Sequence, residues 1–505
     1  MRPGGPWTGW AVATIASKNY LSLARVCCET FLAHHPGARA WVLLVDRTDG
    51  HFDPSREPFE VLSVEELPIP RFVDLAFKYD ILELNTAMKP FFLEWLLGRD
   101  GVERVVFLDP DIAVFRPFEE VRARLESADA VLTPHILSPI PPDGLVPDDT
   151  VFLRAGVYNL GFFALKRSAS TLCLLRWWKE RLLDYGFRDV EHGIFTDQKW
   201  IDLATVLFES LAVLRHPGYN VAYWNLHARR DLSRTAEEFT LGAVPLVFFH
   251  FSGLDFGEPH LVSKYQNRFR LEDLSPAYGE LFAWYGRTLA EHGLGETLGW
   301  PYAFGAFSNG VRIAEPVRRL YSSLGGSRFR FADPFESSAA SSFYSWMLEP
   351  ERAESAVPRL VLFLHESRRE LWRQFPDPEG ASAVGLLTWA IDSAPRFGLD
   401  GPIVDRIRSA RDAESARLRR AEEEARRQRE EQERARAAEL ERQQEECLRK
   451  ARAEIEERFY GVPRSGWKRL ASFGLGLERY VRLRKAFWVA KGILRERNGS
   501  GGNHV

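Results

Sequence analysis

The sequence predicts an α/β fold, a sheet flanked by helices, that continues into a helical region and then a long charged helix. Three observations carry this. Residues 10–46 read strand, helix, strand: an apolar run Trp10–Ile15, then Leu23, Val26, Cys27, Phe31 and Leu32 at three-to-four spacing, then Trp41–Val45 closing in Asp46. That order is a βαβ unit and calls for parallel strands. Val105, Val106, Phe107 and Leu108 form an apolar run that breaks off in Asp109, Pro110 and Asp111. Strands buried on both faces read as such continuous runs. From Ile403 to Arg458 the composition turns to Glu, Arg, Ala and Gln, the profile of a solvated helix.

Taken in order, the first strand is followed by a loop of Ala16, Ser17, Lys18, Asn19 and Tyr20, and Pro36-Gly37 stops the first helix. Polar groups of that loop, with Asp46, stand where open α/β sheets bind ligands and can hold a nucleoside. No glycine-rich fingerprint is present, which speaks against a dinucleotide fold. Phe59–Leu62 is a third strand. Asn85 or Thr86 is expected to cap an apolar helix through Phe91, Phe92, Trp95 and Leu96, with Pro90 near its start. Lys89 is a lone cation there, either facing solvent or touching a phosphate.

Pro110 fixes its own φ and helps stop the next strand. The flanking Asp109 and Asp111 can then turn both carboxylates toward one hard cation. Mn²⁺ and Mg²⁺ take such oxygen ligands, with phosphate oxygens completing the shell. A lone Asp-Pro-Asp is more often only a turn; the strand before it and the motifs after it favour the metal. Phe115–Phe118 opens a helix, Ala130–Thr133 is a strand, and 134–150, rich in Pro and Asp, reads as a mobile loop over the site.

Residues 156–165 form a strand in which Gly161 suggests close backbone approach. A helix with Trp177 and Trp178 follows. Asp197 either caps the helix that ends at Leu207 or serves the site. Residues 217–225 are a loop and strand dense in aromatics and amides, suited to sugars or to core packing. Leu246–Gly253 is a further buried strand carrying His250. A lone His there is more often structural, yet neutral imidazole would complete a ligand set with the two aspartates.

In this order the motifs resemble the retaining glycosyltransferases of the glycogenin and lipooligosaccharide-galactosyltransferase group, and are similar to bacterial surface-polysaccharide enzymes of that type. The resemblance runs over about residues 10–270 and implies the GT-A fold, a Rossmann-like mixed sheet. It implies a metal set of Asp109, Asp111 and His250, the last in a His-Phe-x-Gly context ending at Gly253. It implies a donor-sugar pocket with Asn159 and Gly161, and Asp197 and Gln198 near the reacting sugar. Lys89 becomes the basic donor contact. The nucleoside loop becomes Thr14 to Tyr20, with Thr14, Ala16, Ser17, Asn19, Tyr20 and Asp46 as contacts.

The implied cofactor is Mn²⁺ or Mg²⁺. The implied partners are a nucleotide-sugar donor and a carbohydrate, lipid-linked or protein acceptor. With retention, Gln198 stabilises the reacting face rather than acting as a nucleophile, and Asp197 binds sugar or acceptor hydroxyls. The chain departs from the family twice. The Lys-Pro-Trp expected after the histidine motif is replaced by Leu254, Asp255 and Phe256, so Lys264 or another base must make that phosphate contact. Pro110 stands where Ala or Ser is common.

The 505 residues leave room for several domains, and 45% apolar residues with 15 Trp supply a core. A net charge of -3 argues against nucleic-acid binding. Cys27, Cys28, Cys173 and Cys447 show no metal spacing and read as reduced thiols of a cytoplasmic protein. The opening Met-Arg-Pro-Gly-Gly-Pro-Trp has no apolar stretch, so no secretory signal is expected. No apolar run reaches membrane-spanning length.

Four regions are expected: a transferase domain over 1–270, a mainly helical region over 271–402, a charged helix or weak coiled coil over 403–458, and a basic amphipathic tail over 459–505. In the third, Glu422–Arg426, Glu423–Arg427 and Glu430–Arg434 are spaced for i,i+4 pairing, and self-association is one use of such a helix. In the fourth, ten Lys and Arg face two Glu over 459–497, a balance of +8, interleaved with Phe473, Leu477, Tyr480, Leu483, Phe487 and Trp488. That pattern suits an anionic membrane surface, here the inner face of the plasma membrane, or packing on its own protein.

Two rival classes stand beside the transferase. A phosphotransferase using an Asp-x-Asp nucleophile wants its motif on the first strand, whereas Asp109 lies deep in the chain. A degenerate transferase domain acting as a scaffold through its helical arm would be marked by a lost metal ligand, and all three are present.

Overall fold

The computed structural model describes residues 5–236 and 238–459. Residues 1–415 form one compact unit and 416–505 a second. The first is built on a seven-stranded mixed sheet. Its strands are β1 (Trp10–Ala16), β2 (Arg39–Leu44), β3 (Glu60–Ser63), β4 (Arg104–Leu108), β6 (Ala130–Pro134), β7 (Tyr158–Lys166) and β8 (Leu211–Val213), in the order β8-β6-β7-β4-β1-β2-β3. A short β5 (Ile112–Val114) lies outside it.

Strands β3, β2, β1 and β4 run parallel, as the strand-helix-strand opening requires, with α1 (Leu21–His34) as the first crossover. Strand β7 is antiparallel to both β4 and β6, which makes the sheet mixed. Alternation along β4 divides the core. Val105 and Phe107 join one apolar cluster with Leu84, Phe92 and Trp178, and Val106 and Leu108 join the other with Phe31, Phe118 and Leu125.

Several expectations are corrected before the site is reached. The apolar helix expected through Phe91, Phe92, Trp95 and Leu96 is α4 (Lys89–Leu97), but Met88 rather than Asn85 or Thr86 is at its N-cap, and α2 (Phe72–Lys78) and a separate α3 (Ile81–Ala87) precede it. The cap of α3 is Asp80, whose carboxylate accepts from Glu83 N while the Glu83 carboxylate accepts from Asp80 N. Asn85 and Thr86 are therefore inside α3. Residues 223–228 form a 3-10 turn rather than a strand, and the strand expected over 246–253 is only β9 (Phe248–His250). Strand β9 pairs antiparallel with β5, apart from the main sheet.

The segment expected to be a mobile loop ends in a helix, α6 (Asp149–Ala155), capped by Asp148. It is also stitched to residues 267–268. Val146 N donates to Asn267 Oδ1 at 2.7 Å, and the Arg268 guanidinium reaches Asp143 and the carbonyls of Leu145 and Pro147. Helices α5 (Glu119–Ser127), α7 (Ala169–Leu182) and α8 (Gln198–Leu207) complete the layers over the sheet.

Beyond residue 270, α9 (Pro276–Glu291) and α10 (Glu315–Ser323) are followed by short helices that share a second core with Ile403 and Ile407. Arg318 on α10 donates to the carbonyls of Ala76, Phe77, Tyr79 and Phe304 at 2.6–3.0 Å, and Arg319 reaches Glu83 at 2.6 Å. This pins the corner between α2 and α3. A final helix spans Gly401–Phe459. Among the described residues no helix is long and apolar enough to cross a membrane. Apart from Phe459, which ends that helix, the basic tail expected over 459–505 lies outside the described residues.

Candidate functional site

The site is assembled where β4 ends. Asp109 N donates to Gly161 O at 2.8 Å, and Ile112 N returns to Asp109 O at 3.1 Å, so Asp109-Pro110-Asp111 is a tight turn leading into β5. The β5–β9 pairing sets His250 opposite Ile112, and Phe251 N donates to Asp111 O at 2.9 Å. Residues 140 positions apart in sequence are thus brought together by backbone register. His250 Nε2 lies 2.9 Å from Asp111 Oδ1 and 3.9 Å from Asp109 Oδ2. One ligand atom from each of the three lies within 4.8 Å of the others.

Two carboxylate oxygens and one imidazole nitrogen at this spacing fit a single Mn²⁺ or Mg²⁺. The imidazole is buried, with Trp224 packed edge-on at 5.1 Å, while the carboxylates are partly open. Gly161 makes room: a Cβ there would lie 2.4 Å from His250 Cε1 and 2.8 Å from Nδ1. Close approach is therefore the reason for this glycine, as its place in the strand suggests.

Lys89 does not face solvent. It is 3% exposed, and its ammonium donates to Leu160 O at 2.9 Å and lies 3.0 Å from Asp197 Oδ2 and 3.4 Å from Asp109 Oδ1. Asp197 occupies the N-cap position of α8 but makes no side-chain cap bond. Its carboxylate serves Lys89 and the Thr196 hydroxyl instead, so the capping alternative fails. Thr196 just before it holds φ at +46°, a conformation rare for a β-branched residue. Strain of this kind concentrates at functional sites, and nothing in the sequence signalled it.

Three aspartates, 109, 111 and 197, thus face one lysine and one histidine. Burial works to lower the Lys89 and His250 acidities' usual midpoints, but the neighbouring aspartates outweigh it and hold both cationic forms above their ordinary ranges. Burial raises the Asp109 carboxyl against the opposing pull of Lys89 and His250. A site with this surplus of carboxylate attracts a cation.

A cavity of about 480 Å³ opens over the acidic turn. Of the expected site residues, Ala16, Ser17, Asn19 and Tyr20 form one wall, Lys89, Asp109, Asp111 and His250 the floor, and Gly253 part of the far side. The carbonyl oxygens of the Asn19 and Asn85 side chains are buried without a hydrogen-bond partner. Asn85, which also donates to Ser17 Oγ at 2.9 Å, was expected only as a cap. Its placement on α3 beside the first loop could not be read from local spacing. Lys264 and Tyr265 also line the cavity, and Lys264 N donates to Gly253 O at 2.9 Å.

The other expected residues do not reach this cavity. Asp46 is fully buried and spent on structure: it accepts from Lys18 N at 3.2 Å, Lys18 Nζ at 3.3 Å, Arg47 N at 2.8 Å and Ala303 N at 2.9 Å. Thr14 is buried in β1. Both are interior residues, and Lys18 and the backbone of Ala303 take up the Asp46 oxygens. Asn159, Gly161, Asp197 and Gln198 lie behind the metal set. Gln198 Oε1 accepts from Leu160 N at 3.1 Å and its Nε2 donates to Ala155 O at 2.9 Å, so it braces α6 against β7. Asn159 Oδ1 accepts from Asn220 Nδ2 at 3.2 Å within a buried amide network.

No family model matches the chain. Two Bacillus subtilis (strain 168) proteins described as uncharacterized are similar to it. YfnF is 28% identical over 182 residues, 34% of this chain and 57% of its own, and YfnD 22% over 247 residues, 48% and 76%. The aligned stretch therefore spans little more than half of YfnF. Among solved structures, the galactosyltransferase LgtC with donor and acceptor sugar analogs aligns at 14% identity and a TM-score of 0.32, over 56% of this chain and 95% of that one. The glycosyltransferase GlyE of Streptococcus pneumoniae TIGR4 aligns at 13% identity and 0.33, over 59% and 67%. A glycosyltransferase involved in glycosylation of the major capsid of PBCV-1 aligns at 11% and 0.29, over 49% and 95%. All three are described as glycosyltransferases; at such identities and scores, the site's own side chains decide what it can do.

Proposed function

We propose that the chain is a metal-dependent glycosyltransferase, moving a sugar from a nucleotide-diphosphate donor to an acceptor hydroxyl with retention at the anomeric carbon. The observation that carries this reading is the convergence of Asp109, Asp111 and His250 on a cavity also lined by Ser17, Asn19, Asn85 and Lys89. Mn²⁺ or Mg²⁺ held there would neutralise the charge that develops on a diphosphate leaving group. The degenerate scaffold is not favoured, since the complete ligand set is built and supported.

The chain's own residues divide the remaining work. Asn19, Asn85, Ser17 and Tyr20 line the part of the cavity that suits a nucleoside, with two unpaired amide oxygens ready to accept from a base or ribose. Lys89, kept cationic between Asp109 and Asp197, supplies fixed positive charge beside the leaving group without reorganisation. Lys264 at the far side replaces the basic contact missing after the histidine motif. Asp197 orients Lys89 from behind the metal set. Asn159 and Gln198 shape the sugar end through their amide network. Residues 271–402 act as a brace of the α3 wall through Arg318. The acceptor is a carbohydrate, lipid-linked or protein hydroxyl.

The test is release of nucleotide from a panel of nucleotide sugars, with Mn²⁺ and with chelator. Mn²⁺-dependent release from one donor is expected. Absence of both turnover and metal-dependent nucleotide binding would overturn the assignment.

A further inference from the structure

The helix Gly401–Phe459 runs for 59 residues, about 90 Å at 1.5 Å per residue. Every side chain from Arg419 to Ala451 is exposed. Its first turns are anchored in the second core through Ile403 and Ile407, but an exposed stretch this long must be held by its own side-chain pairs or by a partner. The arrangement of its charges decides between these.

From Leu418 to Arg436 the uncharged residues are Leu418, Ala421, Ala425, Gln428, Gln432 and Ala435, and every other residue is charged. Their spacing alternates three and four, a 3.5-residue repeat that places them at the a and d positions of successive heptads. The positions that flank such a seam are g and e. Here g is Glu424 and Glu431, and e is Arg429 and Arg436. In a parallel, in-register pair of helices, g of one chain meets e of the other five residues further on. Both pairs, Glu424 with Arg429 and Glu431 with Arg436, are then opposite in charge, and the preceding heptad repeats the complementarity with Arg417 and Glu422. In an antiparallel pair g meets g and e meets e, which would put glutamates together and arginines together.

A second observation agrees. Among the described residues, the ion pair that the helix makes with itself in this stretch is Arg426–Glu430 at 3.7 Å, and both lie on the outer b and f positions. Glu424, Arg429, Glu431 and Arg436 are in no ion pair within the chain among the described residues. The internal pair lies on the outer face; Glu424, Arg429, Glu431 and Arg436, beside the uncharged seam, are left for another helix.

We propose that residues 417–438 form a parallel, in-register two-stranded coiled coil with a second copy of this chain, its partner and direction set by Glu424–Arg429 and Glu431–Arg436 across the seam. The seam itself is thin, Ala and Gln rather than Leu and Ile, so the flanking charges do much of the specifying.

Sedimentation equilibrium of the full chain reads this directly, with a dimer mass expected. Glu424→Arg with Glu431→Arg places arginine against arginine at both of these pairs and is expected to weaken the dimer by roughly a hundredfold. Mixing that variant with an Arg429→Glu, Arg436→Glu chain restores opposite charges and the dimer. In a C173S/C447S background, A425C on the seam is expected to crosslink between chains on mild oxidation, and R427C on the outer face is not. A monomer at every concentration overturns the proposal in favour of a lone charged helix. So does a dimer indifferent to the charge reversal, or one that crosslinks through R427C but not A425C.

Discussion

Gly161→Ala is the substitution that tests most closely how the site is held. Gly161 lies inside β7, and its backbone is not in the left-handed region, so alanine carries no conformational penalty. The obstacle is steric. The new Cβ would stand 2.4 Å from His250 Cε1, 2.8 Å from His250 Nδ1 and 2.8 Å from Asn159 Oδ1. Ordinary contact needs about 1 Å more, and His250 has Trp224 packed edge-on against it. Overpacking of this kind costs about 1–3 kcal/mol. Displacing the imidazole should also weaken the cation, by roughly 10–100-fold for a ligand that loses its orientation. Urea denaturation gives the first quantity and Mn²⁺ titration the second. The His250→Ala background separates them: with the ring gone, most of the clash is gone, and the same Gly161→Ala should cost far less. Equal cost in both backgrounds would refute the claim that His250 is what the glycine accommodates.

Three further outcomes follow from the same geometry. Lys89→Met leaves Asp197, 1% exposed, without its cation and should cost about 3 kcal/mol in urea unfolding; unchanged stability would show that the pair is not structural. Arg318→Ala should speed amide hydrogen exchange over residues 76–87 while sparing β1 and β4, because the carbonyls it holds gather at one corner; uniform protection would remove its bracing role. Burial lowers His35 to about 4, and its ring joins Phe31 O to Phe118 N in the neutral form. The unfolded imidazole binds its proton near pH 6.5, so stability present above that pH is lost as pH falls through 4, on the order of 3 kcal/mol. A His35→Phe chain should lose less on acidification, and parallel pH profiles for the two would contradict this.

Much of the site was legible because it depends on strand ends. The apolar run 105–108 closing in two aspartates, and the later apolar run with its histidine, both deliver their polar residues at the point where a strand stops. What could not be read was which strand pairs with which. His250 meets Asp111 because β9 pairs with β5 outside the main sheet, and no local pattern states that pairing. Asp46 misled for the same reason. It ends a strand as expected, but Lys18 and Ala303 N, the latter 257 residues away, consume its oxygens. The cap of α3 is legible in Asp80-Ile81-Leu82-Glu83, an acidic N-cap with a Glu three residues on. Asn85 proved to be a cavity residue because α3 leans on the first loop, a tertiary fact. Lys89 illustrates the limit of charge reading: a lone lysine in an apolar helix was as consistent with solvent as with burial until two carboxylates were found beside it.

The central claim is that Asp109, Asp111 and His250 bind one divalent cation that a nucleoside diphosphate completes. Mn²⁺ binding to the full chain, followed by electron paramagnetic resonance with and without nucleoside diphosphate, measures it most directly. The account predicts one Mn²⁺ per chain, tightened by the nucleotide, and a loss of roughly a hundredfold or more in Asp111→Asn with the fold intact. Equal Mn²⁺ affinity in the wild-type and Asp111→Asn chains would contradict it.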